Sequence, residues 1–209
     1  MAELARFAAS ELIVGGQKSG KSRRAEILAR QWLAQCVSHR AVLIATARPG
    51  DAEMEQRIAR HRQDRAARVP QLQTVEEPLD LAAAIARCSN AQTLVVIDCL
   101  TLWLTNWLLP IRPAMPKMPG PEFEKNDAAS QYEPAQAAID SIASGEAGRS
   151  ASGPLVWVSN EIGLGVIPLG LDTREFVDAL GSLNQAVAAS CERVSFMAAG
   201  LPIYLKGGP

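Results

Sequence analysis

ELIVGGQKSGKSRRAE, residues 11–26, decides how the chain folds. The aliphatic triplet Leu12, Ile13 and Val14 suits a strand buried on both faces. Two glycines end it, and from Gly20 to about Gln35 the spacing is helical. Within the junction, residues 15–22 read GGQKSGKS and fit the pattern G-x-x-x-x-G-K-[ST]. A strand running through a glycine-rich turn into a helix is the first half of a strand–helix–strand unit. Such units build parallel sheets.

The alternation continues outward. Residues 41–47, AVLIATA, read as a second strand. Residues 51–65, DAEMEQRIARHRQDR, read as a helix with Asp51 as its N-cap after Pro49 and Gly50. LQTVEE (72–77) is a short strand, and PLDLAAAIARC (78–88) a helix with proline at its start. TLVVIDC (93–99) is a buried strand, and LTLWLTNWLL (100–109) reads as a helix. LVWVSN (155–160) is another strand, followed by a long helix over residues 172–190. RVSFMAAGLPIYLKG (193–207) reads as two strands joined at residues 200–202, a terminal hairpin. The expectation is an open, mostly parallel α/β sheet with helices on both faces and an antiparallel C-terminal hairpin.

Residues 110–154 break the rhythm. PIRPAMPKMPGPEFEKND is rich in proline and ASGEAGRSASGP in glycine, serine and alanine. We expect an exposed excursion from a single domain spanning 1–209, with one short helix near residues 134–143 and disorder at both flanks.

The 209 residues are 48% hydrophobic and 21% charged with a formal net charge of -1, which suits a globular core and disfavours a nucleic-acid-coating surface. No apolar run reaches membrane-spanning length, and the N-terminus lacks the pattern of a signal peptide. Cys36, Cys88, Cys99 and Cys191 are scattered without a CxxC, and read as small buried residues of a reducing compartment. The expected location is the cytoplasm, with no stable membrane insertion and no nucleic-acid partner.

The glycine-rich junction is a phosphate cradle. Its main-chain N–H groups can point at phosphate oxygens, and the helix N-terminus adds partial positive charge. Lys21 can reach the β- and γ-phosphates, and the Ser22 hydroxyl can ligand Mg2+. The plainer reading, an ordinary strand-to-helix turn, does not explain the full pattern in its context. Asp98 ends a buried strand where a second metal-side carboxylate belongs, although an aspartate there can also cap the next helix. The expected fold is therefore a P-loop NTPase of RecA-like form. Kinase, ATPase and GTP switch all remain open.

The chain has two histidines. On a helix, Met54, Ile58, His61 and Arg65 share one side, with Arg57 a turn before His61 and Arg60, Arg62 and Arg68 close by. A neutral imidazole offers a lone pair, and the arginines could neutralise a triphosphate. From spacing alone, a solvated basic face with an incidental histidine is favoured. His39 reads as a surface loop residue.

LIVGGQKSGKSRRAE, IATARPGDAEMEQRIARHRQDR, TVEEPLDL, VVIDCLTLWLTNWL, VWVSNEIGLGVIPLG and, at the C-terminus, LNQAVAAS with VSFMAAGLPIYLKG occur in this order. In that combination the chain resembles the bifunctional adenosylcobinamide kinase / adenosylcobinamide-phosphate guanylyltransferases of cobalamin biosynthesis. The likeness covers most of the chain outside residues 110–154. The resemblance implies two reactions. ATP or GTP phosphorylates the aminopropanol hydroxyl of a corrinoid, adenosylcobinamide. GTP then passes GMP through a histidine to the phosphorylated corrinoid, releasing pyrophosphate. It implies His61 as the nucleophile, with Lys21 catalytic in phosphoryl transfer. It also implies nucleotide contacts from Gly15, Gly16, Gln17, Lys18, Ser19, Gly20, Lys21 and Ser22, from Thr46, Ala47 and Arg48, from Arg65, Ala66, Ala67 and Arg68, and from Glu76 and Asp98. Ser22 and Asp98 would hold Mg2+, and the family's homotrimer puts the site near subunit boundaries.

Two features depart from the pattern. The tract RQDRAARVPQLQTVEE lacks an expected tryptophan-like residue, and residues 110–154 are longer and richer in proline than the family leads one to expect. Asn160 and Glu161, after a buried strand, could orient a substrate or cap the glycine loop behind them. Two alternatives stand beside the resemblance: a plain small-molecule kinase, and a RecA-like module whose nucleotide state controls partner binding.

Overall fold

The computed structural model describes residues 7–109 and 126–208. Among them seven strands form one sheet: β1 (Ser10–Gly15), β2 (Arg40–Ala45), β3 (Leu72–Glu76), β4 (Thr93–Asp98), β5 (Leu155–Val158), β6 (Arg193–Ala198) and β7 (Leu201–Lys206). Their order is β3-β2-β4-β5-β1-β6-β7, parallel throughout except for the β6–β7 hairpin. The helices are α1 (Lys21–Gln35), α2 (Ala52–Arg68), α3 (Leu81–Cys88), α4 (Leu100–Leu108), α5 (Asn126–Ala143), α6 (Glu146–Arg149) and α7 (Leu171–Ser190).

The central strands β1, β2, β4 and β5 are apolar in unbroken runs because both faces are covered. On one face Ala25, Leu28, Ala29 and Trp32 of α1 pack on Ile13, Leu43, Leu94, Val96, Val156 and Val158. On the other, Leu81 and Ile85 of α3, Leu100 and Trp103 of α4, and Leu180, Leu183 and Val187 of α7 pack on Leu12, Val14, Ile44, Val95, Ile97, Leu155 and Trp157. The register sets the site. Ile13 pairs with Val158, and Val158 with Asp98, so the β4 carboxylate emerges at the edge where β1 turns into the glycine loop.

Residues 126–153 differ from expectation. In place of a short helix over 134–143, α5 is an 18-residue helix with Pro134 inside it, and α6 follows within the expected unstructured flank. Ile142 and Ala147 are buried in the core, with Ala138 and Ile139 packed against it. The cause is a stripe: Ala135, Ala138, Ile139 and Ile142 recur at helical spacing, and small polar neighbours hid them in the average composition. The expectation for residues 110–125 lies outside the described residues.

Two smaller readings also change. His39 is not a plain loop residue: its ring stacks on Trp32 at 3.7 Å and 8°. Its Nδ1 lies 2.8 Å from the Trp32 carbonyl. Cys99 and Cys191 are buried as expected, and burial pushes both thiols up to about 11, but Cys36 is exposed.

Since Ile142 is 2% exposed, Ile142→Ala should destabilise the protein by about 2–4 kcal/mol in denaturant unfolding. A loss below about 0.5 kcal/mol would mean that α5 is not anchored by this side chain.

Candidate active site

The loop between β1 and α1 is held open by glycine. Gly15 has φ 152, and a Cβ there would lie 2.6 Å from the Met197 carbonyl oxygen and 2.8 Å from Ser19 Oγ. Gly20 has φ 104, and a Cβ there would lie 3.0 Å from Gly200 Cα. The loop's own hydrogen bonding is sparse. Ser19 N donates to Gly16 O at 3.3 Å, whereas the N–H groups of Gln17, Lys18 and Gly20 have no acceptor among the described residues. Ser19 Oγ is buried without a partner. Unsatisfied donors around a concave turn are what an anion requires.

Lys21 is buried, and its ammonium donates to Gly15 O at 2.9 Å and Gly16 O at 2.7 Å. The head group expected to face a phosphate thus lies folded onto the carbonyls of its own loop. Burial lowers its pKa; Cys99 and Asp98 oppose that shift, and Arg57 adds to it. Ser22 is half-buried in the first turn of α1.

Asp98 is half-buried at the end of β4. Strand alternation puts it on the α1 face, since Leu94 and Val96 belong to the cluster packed on α1. The neighbouring Thr46 uses its hydroxyl inside the protein. Its hydroxyl is fully buried, donating to Cys99 O at 2.7 Å and accepting from Cys99 N at 2.9 Å. Thr46 therefore ties the end of β2 to the residue that follows β4. Ala47 and Arg48 are half-buried on the way to α2.

Helix α2 begins with the expected cap, Asp51 accepting from Met54 N at 2.7 Å. None of its 17 residues is buried. Met54, Ile58 and Arg65 are half-buried, whereas His61 is exposed. The helix is bonded to the edge of the site through Arg57, Arg62 and Arg68. With the Gln17 amide oriented to satisfy both groups, its oxygen accepts from Arg57 Nη1 and Nη2 at 3.1 Å. Arg62 pairs with Glu76 at the end of β3. Arg68 bonds Glu26 of α1 at 3.1 Å. His61 therefore sits between an arginine that touches the phosphate loop and one that touches the end of β3. The Arg65 side chain makes no hydrogen bond among the described residues, and its Nε is buried without a partner. Burial lowers its pKa, while nearby Asp98 and Glu26 pull it back. Ala66 and Ala67 are exposed.

The adjacent glutamates are told apart. Glu77 accepts from Leu79 N at 3.1 Å and Asp80 N at 2.9 Å and pairs with Arg87, so it shapes the entry to α3. Glu76 is 59% exposed and joins only Arg62 among the described residues. Glu161 caps the loop behind it, accepting from Gly163 N at 2.9 Å. The sequence reading missed Glu26 and the Arg57–Gln17 contact. Both involve residues far apart in sequence, and only the crossing of α2 over the α1 end of the sheet brings them together. For Glu26 the one signal was a carboxylate on the apolar side of α1.

Glu77→Ala should cost about 1–2 kcal/mol in unfolding free energy by removing the carboxylate that satisfies two N–H groups. Glu76→Ala should leave stability within about 0.5 kcal/mol of the parent, because exposed pairs contribute little, and should weaken nucleotide binding. The reverse pattern, measured by urea melts and equilibrium nucleotide titration, would exchange the two roles.

Comparison with known proteins agrees with this geometry. Residues 11–205 match the family described as cobinamide kinase / cobinamide phosphate guanyltransferase. The chain is 44% identical over 199 residues to the bifunctional adenosylcobalamin biosynthesis protein CobP of Pseudomonas aeruginosa, covering 95% of this chain and 98% of that protein. It is 31% identical to the bifunctional adenosylcobalamin biosynthesis protein CobU of Escherichia coli K12, over 93% of this chain and 98% of that one. Among solved structures, an ATPase domain aligns with a TM-score of 0.48 at 14% identity, covering 91% of this chain and 70% of that one. A family match across nearly the whole sequence, joined to a phosphate loop with a histidine helix bonded to it, means that the chain belongs to the cobinamide kinase / cobinamide phosphate guanyltransferase family.

Proposed function

We propose that this protein carries out two successive reactions on one corrinoid. In the first, the aminopropanol hydroxyl of adenosylcobinamide attacks the γ-phosphorus of ATP or GTP, and the nucleoside diphosphate leaves. In the second, a His61 ring nitrogen attacks the α-phosphorus of GTP. The bond to the α,β-bridging oxygen breaks and pyrophosphate departs. A phosphate oxygen of adenosylcobinamide phosphate then attacks the same phosphorus, the nitrogen–phosphorus bond breaks, and adenosylcobinamide-GDP forms.

The observation that carries this reading is the Arg57–Gln17 contact. It attaches the His61 helix to the phosphate loop one helical turn from the nucleophile. That suits a histidine that must meet a triphosphate held in the loop. Arg65, without a carboxylate partner of its own, is available for phosphate charge.

Ser22 and Asp98 suit Mg2+. They are one hydroxyl and one carboxylate at the edge shared by β1 and β4, with no cluster of three or more metal-ligating side chains among the described residues. This is the sparse protein donor set that a phosphate-bridged magnesium uses, and the ion would neutralise charge on the β- and γ-phosphates. Exposed Leu164, Val166, Ile167 and Leu169, in the loop after β5, offer apolar surface to a large amphipathic acceptor or to a neighbouring subunit of the homotrimer. Among the described residues no helix is long and apolar enough to cross a membrane. We place the reaction in the cytoplasm, where the nucleotides are.

Incubation with GTP labelled at the α-phosphate should give an acid-labile, base-stable adduct, the lability of a phosphorus–nitrogen bond. His61→Ala should abolish the adduct and guanylyl transfer while sparing most kinase turnover. His39→Ala should label as the parent does, provided that it folds without the Trp32 stack. Label retained by His61→Ala would move the nucleophile elsewhere, and no label in the parent would leave a plain kinase.

Lys21→Ala should lower the rate of adenosylcobinamide phosphorylation by at least about a hundredfold with the fold intact by circular dichroism. Near-parental turnover would remove Lys21 from the chemistry.

A further inference from the structure

We propose that Asn160 is a further catalytic residue of the phosphoryl-transfer step, its side-chain amide hydrogen-bonded to the transferring γ-phosphoryl group. This rests on the phosphoryl-transfer reading above.

The argument is one of register. Strand β5 lies between β1, which leads into the phosphate loop, and β4, which ends in Asp98. Its ladder with β1 runs past the strand's end: Ser159 N donates to Ile13 O and Glu161 N to Gly15 O, each at 3.0 Å. Asn160 therefore stands opposite Gly15, the first residue of the loop. Alternation then fixes the face. Val156 and Val158 belong to the cluster under α1, so Asn160, two residues further, takes the same side of the sheet as α1 and Asp98.

The main chain of Asn160 is held from both α4 and α7. Its N–H donates to Thr101 Oγ1 of α4 at 2.8 Å. Its carbonyl accepts from Asn184 Nδ2 of α7 at 3.0 Å. Asn184 is only 6% exposed, and its Oδ1 has no partner, so a costly buried amide is spent on fixing this one carbonyl. Yet the side-chain amide of Asn160 makes no hydrogen bond among the described residues, although it is half-buried. A pinned main chain that presents an unused amide beside a phosphate loop is a preorganised donor. Glu161 cannot take this role. It points to the opposite face by alternation, and its Oε1 is occupied by Gly163 N.

In the step itself, Nδ2 donates to a γ-phosphoryl oxygen and Oδ1 accepts from the acceptor hydroxyl. The hydroxyl oxygen bonds to the γ-phosphorus as the bond to the β,γ-bridging oxygen breaks. The hydroxyl proton is released to water, because a neutral amide orients it but does not take it up.

The test uses Asn160→Ala and the near-isosteric Asn160→Asp in the full chain. Equilibrium binding of a non-hydrolysable ATP analogue and of ADP is measured alongside kinase turnover, with thermal unfolding as the fold check. Loss of a hydrogen bond to a charged oxygen should weaken the triphosphate analogue about tenfold or more in Asn160→Ala, with ADP affinity unchanged. Turnover should fall by about 10²–10³. Asn160→Asp should be no better than alanine, since it adds negative charge beside the phosphate. The binding contrast needs no corrinoid, so it judges Asn160 even if the acceptor is another alcohol. A parent that turns over no cobinamide would refute the substrate reading instead. Equal affinities in parent and variants with turnover within about threefold, or equal weakening of triphosphate and diphosphate, would overturn the proposal.

Discussion

The reciprocal pair of hydrogen bonds between Thr46 and Cys99 is the constraint on which the site depends. One buried hydroxyl donates to Cys99 O and accepts from Cys99 N, while Thr46 N donates to Asp98 O at 3.2 Å. Asn106 Nδ2 of α4 then reaches Thr46 O at 2.8 Å and Pro78 O at 3.0 Å. The ends of β2, β4 and the segment before α3 are thus joined through Thr46 and Asn106. Each of those ends leaves the sheet where its backbone would otherwise lose its ladder partners, and an unmade buried hydrogen bond costs about 1–3 kcal/mol. Both Asp98 and the chain leading to α2 are rooted in this knot, so the carboxylate and the histidine helix share one foundation.

The arginines divide into two populations, and the division separates scaffold from site. Arg24 and Arg193 face the buried Glu11, which also accepts from Ser195 Oγ at 2.8 Å, and both guanidiniums lie over the Tyr204 ring. Arg68 has Glu26. These cations are matched inside the protein and tie β1, α1, α2 and β6 together. Among the described residues, Arg57 meets only an amide, and Arg65 meets nothing but the distant pull of Asp98 and Glu26. With Lys21 folded on loop carbonyls, the mouth of the site carries more positive charge than its own carboxylate answers. A polyphosphate completes that balance.

The fold was legible because the central strands are short aliphatic runs ending in a turn signal, as in LIVGG and TLVVID, and helix starts such as Asp51 carry a recognisable cap. The phosphate loop was legible because glycine, lysine and serine are each needed at fixed offsets. The histidine was not decided by its own neighbourhood. Helical spacing groups His61 with Met54, Ile58 and Arg65 but does not say that His61 remains exposed while the others turn inward. Thr46 enters the candidate site only through the resemblance, and nothing in its own neighbourhood points to Cys99, 53 residues away, as the partner of its hydroxyl. Helix α5 was under-read for the same reason in another form: its alanine and isoleucine stripe means little until α4 and α7 supply the surface it covers.

Helix α2 contributes no buried residue, and the contacts that attach it are largely ionic. Its attachment is therefore uncoupled from the hydrophobic core in one respect: ionic strength reaches it first. At physiological salt the screening length is about 8 Å, and exposed ion pairs are each worth about 0–1 kcal/mol. Raising salt loosens the helix while the aliphatic layers under α1 and α7 hold. On the proposed function a bound triphosphate would work in the opposite sense, drawing on the same arginines as multivalent counter-charge. The posture of the His61 helix and the electrolyte around it thus form a single thermodynamic variable, set by which anions are present.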